Sequence, residues 1–122
     1  MISQLSPFGF LRVAACSPEL RVADVEFNSA QIAAQIHEAS ARGVQLAVFP
    51  ELCLTAYTCG DLFYQRSLQD RALRQISVIA QACREARVAA VVGLPVAVAG
   101  RLFNAACLIG ADGKVVGLVP KT

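Results

Sequence analysis

The feature that most constrains the fold is a short apolar run that stops at a proline. Residues 46–49 (LAVF) have the length and composition of a buried strand. Pro50 lacks the backbone N–H that a central strand requires, so the strand ends there and Glu51 follows at once. In open α/β sheets, ligands bind beyond the carboxyl ends of the strands. The sequence therefore predicts that Glu51 lies at a ligand-binding edge of a sheet.

A second segment near the end of the sequence, residues 115–122 (VVGLVPKT), repeats this arrangement. An apolar strand is followed by Pro120 and then by the charged Lys121. If the two strands are neighbours, the carboxylate of Glu51 and the ammonium of Lys121 converge on one site. Both groups lose water there, so each requires a partner or a chemical role.

Apolar periodicity and turn residues divide the sequence into alternating strands and helices. The predicted strands are residues 10–16, 46–49, 88–93, 101–109 and 114–119. Two helices are predicted: the first ends at about residue 41, and the second covers roughly residues 65–87. Asn28 or Ser29 is the expected cap of the first helix, and Pro95 is expected to end the third strand. Asp112-Gly113 predicts a hairpin turn between the last two strands. This pattern is typical of an α/β fold with parallel crossovers and one antiparallel hairpin.

Composition argues against several classes of protein. The charges, 11 Lys+Arg against 9 Asp+Glu, are scattered, so we expect no nucleic-acid partner. No apolar run approaches the roughly 18 residues of a membrane helix, and the first residues lack the features of a signal peptide. The 56% hydrophobic content favours a chain that assembles with partners or that carries only part of a domain.

The cysteines and the histidine offer no catalytic dyad or metal site. The five cysteines are odd in number and form no CxxC pair, which predicts free thiols in the cytoplasm and no zinc site. Cys53 lies two residues from Glu51, whose charge would raise the pKa of its thiol, so we interpret it as a core residue. Cys59, in a polar loop, is expected to be partly exposed and oxidisable. His37 is expected to face solvent.

Two motifs carry a resemblance to a known family. FPELCLTAY, residues 49–57, resembles the glutamate motif of the nitrilase (carbon–nitrogen hydrolase) superfamily, and NAACLIGADGKVVGLVPK, residues 104–121, resembles its approach to the catalytic lysine. The resemblance implies the N-terminal part only of an α-β-β-α sandwich, with residues 1–122 as a partial domain and no second domain. The family's nucleophilic cysteine lies further along the chain and is absent here.

The resemblance also implies roles for individual residues. Glu51 corresponds to the general base, for which we expect burial to raise the pKa, and Lys121 to the residue that stabilises the oxyanion. Tyr57 corresponds to a substrate-binding tyrosine. Asn104 matches an asparagine common in the superfamily, which we interpret as satisfying backbone groups. At Ala56 many members carry glycine, a difference of one methyl group that puts little of the resemblance in doubt.

Within the superfamily, three segments resemble the amidase domain of the long bacterial glutamine-dependent NAD synthetases. They are GFLRVAAC (residues 9–16), LCLTAYTCGDLFYQ (52–65) and the ending GLVPKT (117–122). This resemblance implies glutamine as substrate, no cofactor in this domain, and a separate synthetase domain that uses ATP and magnesium. It also implies a cytoplasmic homo-oligomer.

Two alternatives stay open at the level of sequence. One is a stand-alone carbon–nitrogen hydrolase of the ω-amidase or carbamoylase kind. The other is a non-catalytic α/β module in which Glu51 and Lys121 form a structural ion pair. Because the nucleophile is absent from this chain, we expect residues 1–122 alone to hydrolyse no glutamine.

Overall fold

The computed structural model describes residues 8–122, which form an α/β fold around a single sheet. The strands within this range are β1 (Val13–Ala15), β2 (Leu46–Val48), β3 (Ala89–Val98), β4 (Arg101–Ile109) and β5 (Val115–Pro120). The helices are α1 (Val25–Ala41) and α2 (Arg66–Ala86), and a 3-10 helix, Gly60–Tyr64, precedes α2. The predicted class is confirmed, although β1 is shorter than expected.

The five strands lie in the order β1-β2-β3-β4-β5. The first three are parallel, with Ala47 opposite Ala90, whereas β3–β4 and β4–β5 are antiparallel. Consequently β2, β3 and β5 run in the same direction, and their carboxyl ends share one edge of the sheet. The strands that precede Glu51 and Lys121 do not meet the condition of being neighbours, because the hairpin places β5 on the outer side of β4.

Both helices pack on one face of the sheet, where they bury alternate strand residues. Successive side chains of a strand point to opposite faces of the sheet, so the buried residues identify the face that the helices cover. Buried together in this core are Ile32 and Ile36 of α1, Ile79 of α2, Ala90, Val92 and Leu94 of β3, and Cys107 and Ile109 of β4. The opposite face therefore carries the intervening residues, among them Val91, Gly93 and Asn104.

Helix α1 begins one turn earlier than the predicted cap. The carboxylate of Asp24 accepts a hydrogen bond from the backbone N–H of Phe27 at 3.1 Å and caps the helix. Asn28 is instead fully buried, and its carboxamide bonds to the backbone of Arg21 and Leu54. The predicted cap at Asn28 or Ser29 is wrong because tertiary contacts occupy the Asn28 side chain.

Strand β3 continues through Pro95 to Val98, which the sequence did not predict. The backbone N–H and C=O of Gly93 both point toward the side of the sheet on which β2 lies. In a strand these groups point to the same side at every second residue, so the backbone of Pro95 faces that side too. Because β2 has already ended at Val48, the missing N–H of Pro95 faces an unpaired side, where proline is tolerated.

Candidate active site

Glu51 reaches the site because the chain that follows β2 crosses over β3. Beside β3, the backbone N–H of Leu54 donates to the carbonyl of Gly93 at 3.1 Å. Just before this, residues 50–52 pass over Gly93 so closely that a Cβ there would lie 2.3 Å from the nitrogen of Leu52. The crossing carries Glu51 over the sheet face opposite the helices, toward β4 and β5.

Lys121 follows β5 and meets Glu51 beside β4. Its backbone N–H donates to the carbonyl of Asn104 at 2.7 Å, and its Nζ lies 3.0 Å from Oε1 of Glu51. Nδ2 of Asn104 donates a further hydrogen bond to the same carboxylate oxygen. The structure therefore brings Glu51 and Lys121 together as expected. It also gives Asn104 a direct contact with the carboxylate, where the sequence had suggested backbone contacts only.

These two donors set the charge state of the site. The hydrogen bond from Lys121, followed by that from Asn104, holds the pKa of Glu51 below its ordinary value. In turn, Glu51 raises the pKa of Lys121. The expectation that burial raises the pKa of Glu51 is wrong for this chain, because its side chain is 38% exposed and two donors stabilise the charged form. At neutral pH the pair is a carboxylate beside an ammonium.

The three polar groups stand in a groove that is otherwise apolar. The groove has a volume of about 380 Å³, within the range of roughly 300–1,000 Å³ that is typical of small-ligand sites. Among its lining residues, only Glu51, Asn104 and Lys121 have polar side chains. Apolar walls with a few convergent polar groups are the usual composition of a substrate site.

Tyr57 lies near this site without lining the groove. Its side chain is largely exposed, and its phenol makes the smallest of the contributions that raise the pKa of Lys121. From this position the Tyr57 side chain can contact a substrate only where the substrate extends out of the groove. The role of Tyr57 in substrate binding stays a prediction.

The cysteines are free thiols, and four of the five are buried. Cys53 is fully buried, and burial raises the pKa of its thiol to about 11, as expected for a core residue. The expectation that Cys59 is exposed is wrong, because only 5% of it is accessible and its thiol donates to the carbonyl of Thr55 at 3.0 Å. The side chain of His37 is half exposed, 3.5 Å from Glu85.

No helix within residues 8–122 combines the length and the hydropathy needed to cross a membrane. In the same range, no three His, Cys, Asp or Glu side chains are grouped so as to hold a metal ion.

The site depends on one residue that the motifs in the sequence did not single out, Gly93. A glycine inside an apolar strand signals either a bulge or the close approach of another backbone segment. That signal was present in VVGLP, residues 91–95, and the crossing segment shows what it meant.

The family of this chain follows from comparison with known proteins. The family described as Carbon-nitrogen hydrolase matches residues 12–122. The chain therefore belongs to the carbon-nitrogen hydrolase family. Curated relatives called glutamine-dependent NAD(+) synthetase are 34% identical in Mycobacterium bovis and 32% in Mycobacterium leprae, each over 114 residues. These matches cover 93% of this chain and 17% of each relative, so the chain spans about a sixth of their length.

Solved structures agree with this assignment. A glutamine-dependent NAD(+) synthetase from Cytophaga hutchinsonii superposes with a TM-score of 0.85 at 31% identity, covering 92% of this chain and 19% of that one. A mutant amidase of the nitrilase superfamily from Nesterenkonia gives a TM-score of 0.81 at 25% identity, covering 91% and 42% respectively. The predicted nitrilase-like fold is confirmed, and the single sheet with helices on one face corresponds to part of that fold.

Proposed function

We propose that this chain is part of the glutamine-hydrolysing domain of a glutamine-dependent NAD synthetase. The observation that carries the proposal is the convergence of Glu51, Lys121 and Asn104 in a groove whose other lining residues are apolar. The branch within the family is supported by the names of the relatives. Identity to the synthetases is 31–34%, against 25% to the Nesterenkonia amidase.

In this proposal the nucleophile is a cysteine outside residues 1–122. Its thiolate attacks the side-chain amide carbon of glutamine, and ammonia leaves as a thioester forms, which water then cleaves to glutamate. Glu51 accepts the proton of the thiol and returns it to the departing ammonia, a role for which the lowered pKa keeps it ionised. Lys121 stabilises the oxyanion of the tetrahedral intermediate. Tyr57 contacts the part of glutamine that lies outside the groove.

The partners follow from the same proposal. Ammonia passes to a synthetase domain that uses ATP and magnesium to convert nicotinic acid adenine dinucleotide to NAD, while this domain needs no cofactor. A homo-oligomer is supported by exposed apolar side chains of β5 that do not line the groove, among which Val116 is more than half accessible. The cytoplasm is supported by the free thiols.

The test compares two nitrogen sources in the full-length protein that carries this segment. Glu51→Gln and Lys121→Met should each lower glutamine-dependent NAD formation by at least about 100-fold, the usual size of a general acid–base contribution for Glu51 and of an oxyanion donor for Lys121. NAD formation from added ammonium should not change, because free ammonia bypasses the amidase site. The matched control is Glu38→Gln, which removes a carboxylate on α1 that pairs with Arg42, away from the groove.

Two results would contradict the proposal. Unchanged glutamine-dependent activity in Glu51→Gln would leave the pair as a structural ion pair in a non-catalytic module. Glutamine or amide hydrolysis without any ATP-dependent NAD formation would indicate the second candidate, a stand-alone amidase, which the Nesterenkonia fold likeness favours.

A further inference from the structure

We propose that Gly93 is a positioning residue for Glu51. In this proposal the thiol of Cys53 holds the segment that crosses β3, residues 50–54, against Gly93 by hydrogen bonds. Gly93 lies on β3, whereas Glu51 belongs to the segment after β2. The inference deepens the proposed function, since it rests on the role of Glu51 as the base. It is carried by two independent observations, one steric and one from hydrogen bonding.

The steric observation is the lack of space for any side chain at Gly93. A Cβ there would lie 2.3 Å from the nitrogen of Leu52, and 3.0 Å from both the carbonyl carbon of Glu51 and the carbonyl oxygen of Pro50. All three are backbone atoms, which cannot swing aside as a flexible side chain can. Ordinary contacts begin near 3.4 Å, so an added methyl group would displace the segment by about 1 Å. Because Gly93 has no positive φ, the requirement is space rather than backbone freedom.

The hydrogen-bonding observation concerns the side of Gly93 that no strand pairs. The N–H of Gly93 donates to Sγ of Cys53 at 3.3 Å, and its carbonyl accepts from the thiol of Cys53 at 3.7 Å. The same carbonyl accepts from the N–H of Leu54. Cys53 thus takes the place that a further residue of β2 would occupy in the ladder. Cys53 therefore fixes the segment to Gly93 at a point two residues after Glu51.

The consequence is that the position of Glu51 depends on Gly93. Oε1 of Glu51 must stay within hydrogen-bond distance of both Lys121 and Asn104, and a shift of about 1 Å would break the 3.0 Å contact with Nζ. A misplacement of that size in a catalytic group lowers rates by on the order of 100-fold.

The test uses Gly93→Ala with Gly117→Ala as the matched control. Gly117 lies on β5 of the same sheet, also has no positive φ, and a Cβ there meets nothing within 4 Å. In the full-length protein, an NMR titration should show the pKa of Glu51 rising toward its ordinary value in Gly93→Ala and not in Gly117→Ala. In the full-length protein, Gly93→Ala should lower kcat for glutamine-dependent NAD formation about 100-fold, with a smaller change in KM and unchanged use of ammonium.

A second pair of variants keeps the proposal testable if Gly93→Ala does not fold. Cys53→Ala removes the acceptor of the Gly93 N–H, whereas Cys53→Ser supplies an oxygen in its place. The pKa of Glu51 should rise in the alanine variant and return at least halfway in the serine variant. A residue that only stabilises the fold would change the melting temperature and leave this pKa alone.

The outcomes separate the two proposals. A pKa of Glu51 that is unchanged in both Gly93→Ala and Cys53→Ala would overturn the positioning role. A pKa that moves in Gly93→Ala while glutamine hydrolysis stays normal would support the positioning role and overturn the assignment of Glu51 as the base.

Discussion

Replacing Asn28 by alanine tests whether α1 also holds the segment that carries Glu51. Asn28 is fully buried, and its carboxamide makes three hydrogen bonds to backbone groups. It accepts from the N–H of Arg21 at 2.7 Å and donates to the carbonyls of Arg21 at 2.8 Å and Leu54 at 3.0 Å. The bond to Leu54 ties α1 to the chain three residues after Glu51.

The expected loss of stability follows from these three bonds. Alanine leaves the buried carbonyl of Leu54 without its donor, which costs about 1–3 kcal/mol. The two bonds to Arg21 lie nearer the surface and contribute about 0.5–1.5 kcal/mol each. The free energy of unfolding should therefore fall by about 4 kcal/mol, a large fraction of the roughly 5–15 kcal/mol of a typical domain.

Urea unfolding followed by circular dichroism measures this loss. The control is Ser77→Ala, because the Ser77 hydroxyl is exposed on α2 and donates only to the carbonyl of Arg74 within its own helix. That variant should change stability by no more than about 0.5 kcal/mol. A loss below about 1 kcal/mol in Asn28→Ala would refute the reasoning, since it would mean that water or a local shift satisfies the carbonyl of Leu54.

Three further predictions concern strain, pH and thiol access. Ala56 has a φ of +64°, so Ala56→Gly should raise the free energy of unfolding by about 1 kcal/mol, and a decrease in thermal melting temperature would contradict this. The pKa of Glu51 in the folded protein lies below its ordinary value of 4.5, so its ion pair with Lys121 stabilises the fold at any pH above 4.5. This contribution disappears as the pH falls through the folded pKa. Unfolding measured below pH 4.5 should accordingly show a shallower loss of stability in Glu51→Gln than in the parent. A thiol reagent should modify the partly exposed Cys16 first and reach Cys59 only on unfolding, and fast native labelling of Cys59 would contradict its burial.

The features that the sequence predicted correctly depend on local signals. Pro50 ends β2, and the turn at Asp112-Gly113 joins β4 to β5 as expected. What it missed depends on contacts between distant segments. Asn28 has the side chain of a helix cap but bonds to Leu54, 26 residues away. Pro95 stays in a strand because of where β2 stops, which no pattern around the proline reveals.

Glu51 and Lys121 meet although the strands that precede them are not neighbours, and this explains how the site is built. Strands β2 and β5 are separated by two others, a distance of about 14 Å across three strand spacings. Lys121 needs only to extend beyond Pro120, so the segment that follows β2 must cover most of that distance by crossing β3. The crossing is possible only where β3 presents no side chain, at Gly93. The charged residues therefore indicate the chemistry of the site, and the glycine between them in the sequence determines whether they can meet.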